Sequence, residues 1–182
     1  MSQNQVVDEA LQELFMALIT RWRKENGRLG IGVPKTKLLK AGAIKPDVLD
    51  DLLQKLRAKV GELGLEVVEY LYEGEPWYAV RSIYVCPTEM KEEEESFLAL
   101  LIAQLEAAQA PQRGVKEEPI KNRVVKNKYF TEHQFDRILK NLEQLGYVEK
   151  RQKRIYYLPR TLLEFSAETR KHIGEQAARL IF

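Results

Sequence analysis

The sequence predicts an α+β, mainly helical chain, on three observations. Residues 131–158 read as a capped helix, a glycine and a short hairpin. A similar succession stands at about 45–85, so one unit is used twice. Between them, residues 97–105 are apolar almost without interruption, the pattern of a helix buried on several sides.

The second succession is the clearer. Thr131 is a good N-cap, and Gln134 three residues on completes a capping box. Phe135, Ile138, Leu139, Leu142 and Leu145 recur at helical spacing. Gly146 can take the left-handed conformation that ends a helix. Tyr147–Glu149 reads as a strand, Lys150–Arg154 as a cationic tip and Ile155–Leu158 as the return, closed by Pro159. A helix, a glycine and a hairpin with a basic tip form the second half of a winged helix, a relative of the helix-turn-helix.

The first succession opens with an amphipathic helix at about 6–25, with Val7, Leu11, Leu14, Phe15, Leu18 and Trp22 on its face. Asn26-Gly27 is expected to end it. Arg28–Val33 reads as a short strand or loop and Pro34–Gly42 as a short helix. Lys45-Pro46-Asp47 starts the next helix, with Pro46 near the first turn. Its apolar face is Val48, Leu49, Leu52, Leu53, Leu56, Val60 and Leu63, and Gly64 stops it. Leu65–Tyr72 reads as a strand, Glu73–Pro76 as a turn and Trp77–Val85 as the return.

Pro87-Thr88 begins a further helix. Glu89 and Glu92–Glu95 crowd its first turns, where carboxylates favour the positive end of the helix dipole and are expected to be solvated. The apolar run Phe97–Leu105 is expected to pack against both units and join them in one rigid body. Ala107–Gly114 reads as a loop and 118–127 as a short helix. Residues 160–182 add one or two helices, with Leu162, Leu163, Phe165, Ile173, Ala177, Leu180 and Ile181 as their apolar positions. The expected architecture is therefore two tandem winged-helix domains packed as one unit, at 6–86 and 88–160, with a helical extension at 161–182. The repeat also shows in Leu53-Gln54-Lys55-Leu56 and Leu139-Lys140-Asn141-Leu142, each followed by Leu-Gly and Val-Glu.

The 182 residues are 45% hydrophobic and 31% charged, ordinary for a globular chain. No apolar run approaches a membrane span, the N-terminus lacks a signal-peptide pattern and Cys86 stands alone, which together favour the cytoplasm. The net charge is +2, yet from Pro111 onward 16 basic residues face 9 acidic ones. The excess reads either as a surface that meets something anionic or as scatter between halves.

Leu63–Glu69, the long apolar helix and Leu145–Glu149 resemble the MAGE homology domain. So does Tyr156–Ser166, where Pro159-Arg160 and Glu164-Phe165-Ser166 fall as in that family's run after its second wing. That family belongs to the KITE proteins, tandem winged-helix subunits of SMC complexes. The resemblance implies a non-enzymatic protein without cofactors that binds a kleisin-like chain within an SMC-type ATPase complex. It also implies a homodimer or pairing with a related subunit, and contact with DNA. A prokaryotic relative would be associated with the nucleoid.

Lys150, Arg151, Lys153 and Arg154 at the hairpin tip are the sharpest candidates, because cations there can reach phosphates. Lys126 and Lys128 could join them, as could Arg137 and Lys140 on the helix. The bland reading is a solvated, charged hairpin tip. Glu132, Asp136 and Glu143 share that helix's outer side and argue for non-specific backbone contact rather than base reading. The first unit, with Asp47, Asp50, Asp51, Glu73 and Glu75, is expected to bind protein instead. Phe97, Leu101, Leu105, Leu180, Ile181 and Phe182 are the expected protein-interface residues, the apolar chain end packing either inside or in an interface. A sequence-selective transcription regulator is the alternative. Catalysis finds no residues: His133 and His172 are isolated, and no phosphate loop, paired-Cys metal spacing or nucleophile motif is present.

Overall fold

Leu11, Leu14 and Leu18 bury one side of the first helix, α1 (Gln3–Ile19). The structure, a computed structural model, describes residues 3–19, 22–23, 29–41, 45–83, 90–108 and 113–181. It divides into two compact units, Met1–Pro87 and Thr88–Phe182.

In the first unit α1 ends at Ile19, short of the expected 25. Trp22 instead joins a two-residue strand, β1 (Trp22–Arg23), antiparallel to β2 (Leu29–Gly30). Asn26-Gly27 lies between those strands, outside the described residues; the dipeptide is as much a hairpin signal as a helix stop. β3 (Val33–Pro34) leads into α2 (Lys35–Ala41) and α3 (Pro46–Gly61). Leu49, Leu52, Leu53, Leu56 and Val60 of α3 are buried. Val48 and Leu63, expected on the same face, are exposed at 44% and 72%. They flank the buried stripe, and Leu63 lies beyond the helix's last turn.

The antiparallel hairpin of β4 (Leu65–Tyr72) and β5 (Glu75–Ser82) turns on Glu73 and Gly74, both at positive φ. Pro76 therefore sits inside β5, not in the turn. β3 pairs only as far as Trp77, so Pro76 removes no ladder donor on that side. The sheet order is β3-β5-β4.

The second unit opens with α4 (Glu92–Ala107) and continues through β6 (Val115–Lys116), α5 (Glu117–Lys126) and α6 (Glu132–Gln144). The hairpin β7 (Val148–Arg151) and β8 (Arg154–Tyr157) follows, then α7 (Pro159–Glu164) and α8 (Ala167–Ile181). Its sheet order, β6-β8-β7, repeats that of the first unit. The glycines repeat too: the interval from Gly32 to Gly64 equals that from Gly114 to Gly146, and all four have positive φ. In this register Leu53, Leu56 and Val60 match Phe135, Ile138 and Leu142. The pairing of Leu53–Leu56 with Leu139–Leu142 read from sequence is one helical turn out.

Phe97, Leu98, Leu101, Ile102 and Leu105 of α4 share one core with residues of α5, α6, β7 and β8. Within the same unit α8 packs along α4. Gly174 lies in this contact, where a Cβ would stand 3.6 Å from the Cα of Ala103, an ordinary packing distance. Glu106 accepts from Tyr157 (3.0 Å) and from Arg170 (3.0 Å), and Arg170 also donates to the Phe165 carbonyl (2.6 Å). Burial, and then the Glu106 charge, push the Tyr157 hydroxyl far up, so it stays protonated. Among the described residues no helix is long and apolar enough to cross a membrane.

The same substitution should have opposite signs at two glycines. A Cβ at Gly32, φ +81°, would stand 2.6 Å from both the Tyr70 hydroxyl and the Tyr78 carbonyl. Gly32→Ala is expected to cost about 2 kcal/mol or more in chemical denaturation. Gly174→Ala meets only ordinary contacts and should stabilise by about 0.5–1 kcal/mol through helix propensity.

Base should unfold the chain through its buried tyrosines. Burial, then Glu69, pushes Tyr78 up to about 12, and burial also raises Tyr70. A phenol raised above its unfolded value of about 10 favours folding below that pH and loses the contribution as pH climbs towards the folded value. Circular dichroism should show stability constant from pH 7 to about 9 and falling above about 10.

Candidate nucleic-acid interface

Helical period sets what α6 shows to solvent. With Phe135, Ile138, Leu139 and Leu142 buried, the opposite line is His133, Arg137, Lys140 and Gln144, all exposed. The start of α6 is fixed as expected: the Gln134 amide donates to Thr131 Oγ1 (3.2 Å), and Thr131 N–H donates back to Gln134 Oε1 (2.8 Å). At its end, Gly146 N–H donates to the Glu143 carbonyl and Tyr147 N–H to the Leu142 carbonyl, a Schellman closure.

The acids of α6 stand on its flank rather than on that line. Lys121 of α5 reaches Asp136 at 3.0 Å and Glu132 at 3.5 Å. The hydrogen bond that Lys121 donates to Asp136 raises the Lys121 pKa and keeps it cationic. Glu143 accepts the Lys150 backbone N–H at 2.6 Å. On the other flank Arg137 pairs with Glu93 at 2.7 Å, and Asn141 donates to Glu94 at 2.9 Å. Glu94 also accepts from the Lys91 N–H, and these two bonds hold its carboxyl below the usual range. The run expected to be solvated thus contains one buried carboxylate, 4% exposed, that ties α4 to α6.

The second hairpin is fastened near its tip. Lys150 pairs with Glu117 at 2.7 Å, and Glu117 N–H donates to the Lys153 carbonyl at 3.0 Å. Gln152 and Lys153 make the turn, both left-handed, at φ 51° and 59°. Where the first unit's turn has Gly74, the second has a lysine, at a cost of about 1–2 kcal/mol. Arg154 donates to the carbonyls of Arg113 (2.9 Å) and Gly114 (3.0 Å). Arg151 lies over the Tyr156 ring at 4.7 Å and 4.0 Å from Glu149.

The cations proposed from sequence therefore separate. Arg154 is a latch on the loop before β6, and Lys150 and Arg137 are ion-paired. Lys126, Lys128, Lys140 and Lys153 are exposed, with no side-chain partner among the described residues. Counted by structural unit, the charge asymmetry disappears: 12 basic and 12 acidic residues in the first, 17 and 15 in the second. The acidic start of α4 belongs to the basic unit, so any positive field is local to its surface.

Phe97, Leu101 and Leu105 are not interface residues. Each is 0% exposed, and Phe97 meets Phe135 edge-on at 5.0 Å. Leu180 and Ile181 fall in α8, but their side chains, like Phe182 and Cys86, lie outside the described residues. Of the exposed apolar groups missed from sequence, Tyr129 (51%) lies in the second unit and the others in the first. Leu63 (72%) and Ile83 (54%) flank one end of its hairpin, where Ile83 N–H donates to the Gly64 carbonyl (3.1 Å). Leu71 (56%) lies on β4, outward between the buried Tyr70 and Tyr72; strand alternation could have found it. Also missed was Arg160, which bonds Glu164 (2.6 Å) and the Leu145 carbonyl (3.1 Å) and lies over Tyr147. Its i,i+4 spacing to Glu164 was the available signal. Among the described residues no cluster could hold a metal ion.

Neighbouring lysine and arginine should behave differently. Arg154→Ala leaves two carbonyls without their donor and should cost about 1–2 kcal/mol in thermal or denaturant unfolding. Lys153→Ala should stay within about 0.5 kcal/mol.

No known family profile and no curated protein matches the chain. Among solved structures it is similar to one titled "Nse1-Nse3-Nse4 complex", 15% identical in sequence, with a TM-score of 0.47 over 90% of this chain and 72% of that one.

Proposed function

We propose that the chain is a non-enzymatic architectural subunit of an SMC-like chromosome complex. Its two units are winged helices in tandem; it binds a kleisin-like chain and touches DNA backbone without sequence preference. The observation that carries this reading is the duplicated unit: short strand, two helices and hairpin, with the same sheet order and the same glycine interval. The kleisin-like and SMC-like partners, and pairing with a second copy or a related subunit, come from the sequence resemblance.

The two units offer different chemistry. β4 is an eight-residue edge strand with no lysine or proline, and Leu63, Leu71 and Ile83 are exposed along or beside it. An edge unpaired among the described residues, beside apolar side chains, suits an added strand or an apolar segment of another protein. The second unit offers unpartnered lysines near a rigid hairpin, suited to phosphates.

Co-expression with candidate kleisin-like chains tests the reading. The wild type should co-elute with one of them, and Leu63→Asp with Leu71→Asp should weaken the complex by about 2 kcal/mol or more while leaving the fold intact. A wild-type chain that stays monomeric and retains no kleisin-like partner would overturn it. So would tight, sequence-selective DNA binding that survives moderate salt.

A further inference from the structure

We infer that β4 takes up an extended segment of a partner protein as a fourth strand of the first unit's sheet, and that this segment sets a lysine or arginine and an apolar side chain two residues apart. The inference deepens the protein contact proposed above and rests on it for the partner's place in a complex.

The turn fixes which backbone groups are available. Glu73 and Gly74 are both left-handed, at φ 51° and 84°, the two-residue hairpin turn whose flanking residues exchange hydrogen bonds. Tyr72 and Glu75 are therefore a bonded pair, and so is every second pair from there, down to Ile83 N–H on the Gly64 carbonyl (3.1 Å). The amides and carbonyls of Leu65, Val67, Glu69 and Leu71 point the other way, off the sheet edge. Pro76 agrees with this: it stands opposite Leu71, where no donor is needed between the strands.

The repeat sets this edge apart from its counterpart. In the second unit the same place in the sheet is held by β7, four residues long and carrying Lys150 and Arg151. Short length and cations are how proteins guard an edge. β4 is eight residues long and has neither guard. Leu71 stands exposed on it at 56%, with Leu63 (72%) and Ile83 (54%) by its start. A long unguarded edge with apolar neighbours is a liability unless a partner covers it.

Charge selects the occupant. β4 contains Glu66 and Glu69 and no base. Arg81 answers Glu66 at 2.7 Å, and Glu69 is exposed on the same face as Leu71. A second copy pairing through β4 would bring like carboxylates together, which is destabilising. A cation opposite Glu69, with an apolar side chain two residues on against Leu71, fits instead.

Fluorescence anisotropy with the full chain tests this, using the labelled peptide Ser-Lys-Thr-Leu-Thr-Lys-Thr-Leu-Ser. It should bind saturably with a Kd below about 1 mM. Glutamate in place of both lysines should weaken binding about tenfold or more, and Glu69→Gln should weaken it about threefold. N-methylation of three consecutive central amides keeps the side chains but removes the ladder donors, and should abolish binding. Leu71→Pro removes one outward donor and no hairpin bond; circular dichroism checks its fold, and it should bind about tenfold more weakly. No saturable binding by the wild type would overturn the inference, as would N-methylated peptide bound within about twofold of the parent. A glutamate peptide bound as well as the lysine one would overturn the cationic occupant. A wild-type dimer dissolved by Leu71→Pro would assign the edge to a second copy and overturn the inference too. Co-elution decides the subunit reading separately. Peptide binding without a retained kleisin-like chain sinks that reading and leaves this one, and a retained chain without peptide binding does the reverse.

Discussion

Burial of α4 on nearly all sides is the constraint on which the second unit depends. A helix carrying Phe97, Leu98, Leu101, Ile102 and Leu105 cannot face water anywhere along that stretch. α6 covers it on one side and α8 on another, with Gly174 of α8 beside Ala103. That arrangement gives α6 one face for the core, and its opposite face is what remains for partners. The polar ties reinforce the same geometry: Glu94 fastens α4 to Asn141, and Glu106 links α4 to Tyr157 and Arg170.

Much of this was legible in the sequence because local signals agreed. The Thr131 box, the apolar spacing of α6, Gly146 and the hairpin all point the same way and all formed. The failures share one cause, the competition between local and distant partners. Trp22 continued a helical period but found a strand partner in Gly30. Leu63 continued the apolar stripe of α3 but lies past its end. Phe97–Leu105 signalled burial correctly, yet nothing in a linear pattern named α8 as the helix that packs along it.

The candidate surface was less legible than the fold. Sequence supplies the cations but not what each is already holding. Arg154 and Lys153 are neighbours of like charge, yet the side chain of the first is consumed by two carbonyls and that of the second has no partner among the described residues. Likewise Glu132 and Asp136 looked like an obstacle to an anionic ligand, and Lys121 beside them offsets one of the two charges. Charge totals were the least informative quantity, since the acidic run of α4 belongs to the same unit as the basic hairpin.

Hydrogen exchange on the whole chain, with and without duplex DNA, addresses the central claim in one experiment. The account predicts that amides of 97–105 exchange slowly in the free protein and do not change. New protection should fall on α6 and on residues 150–154. Fast exchange in 97–105, or DNA-induced protection confined to the first unit, would contradict it.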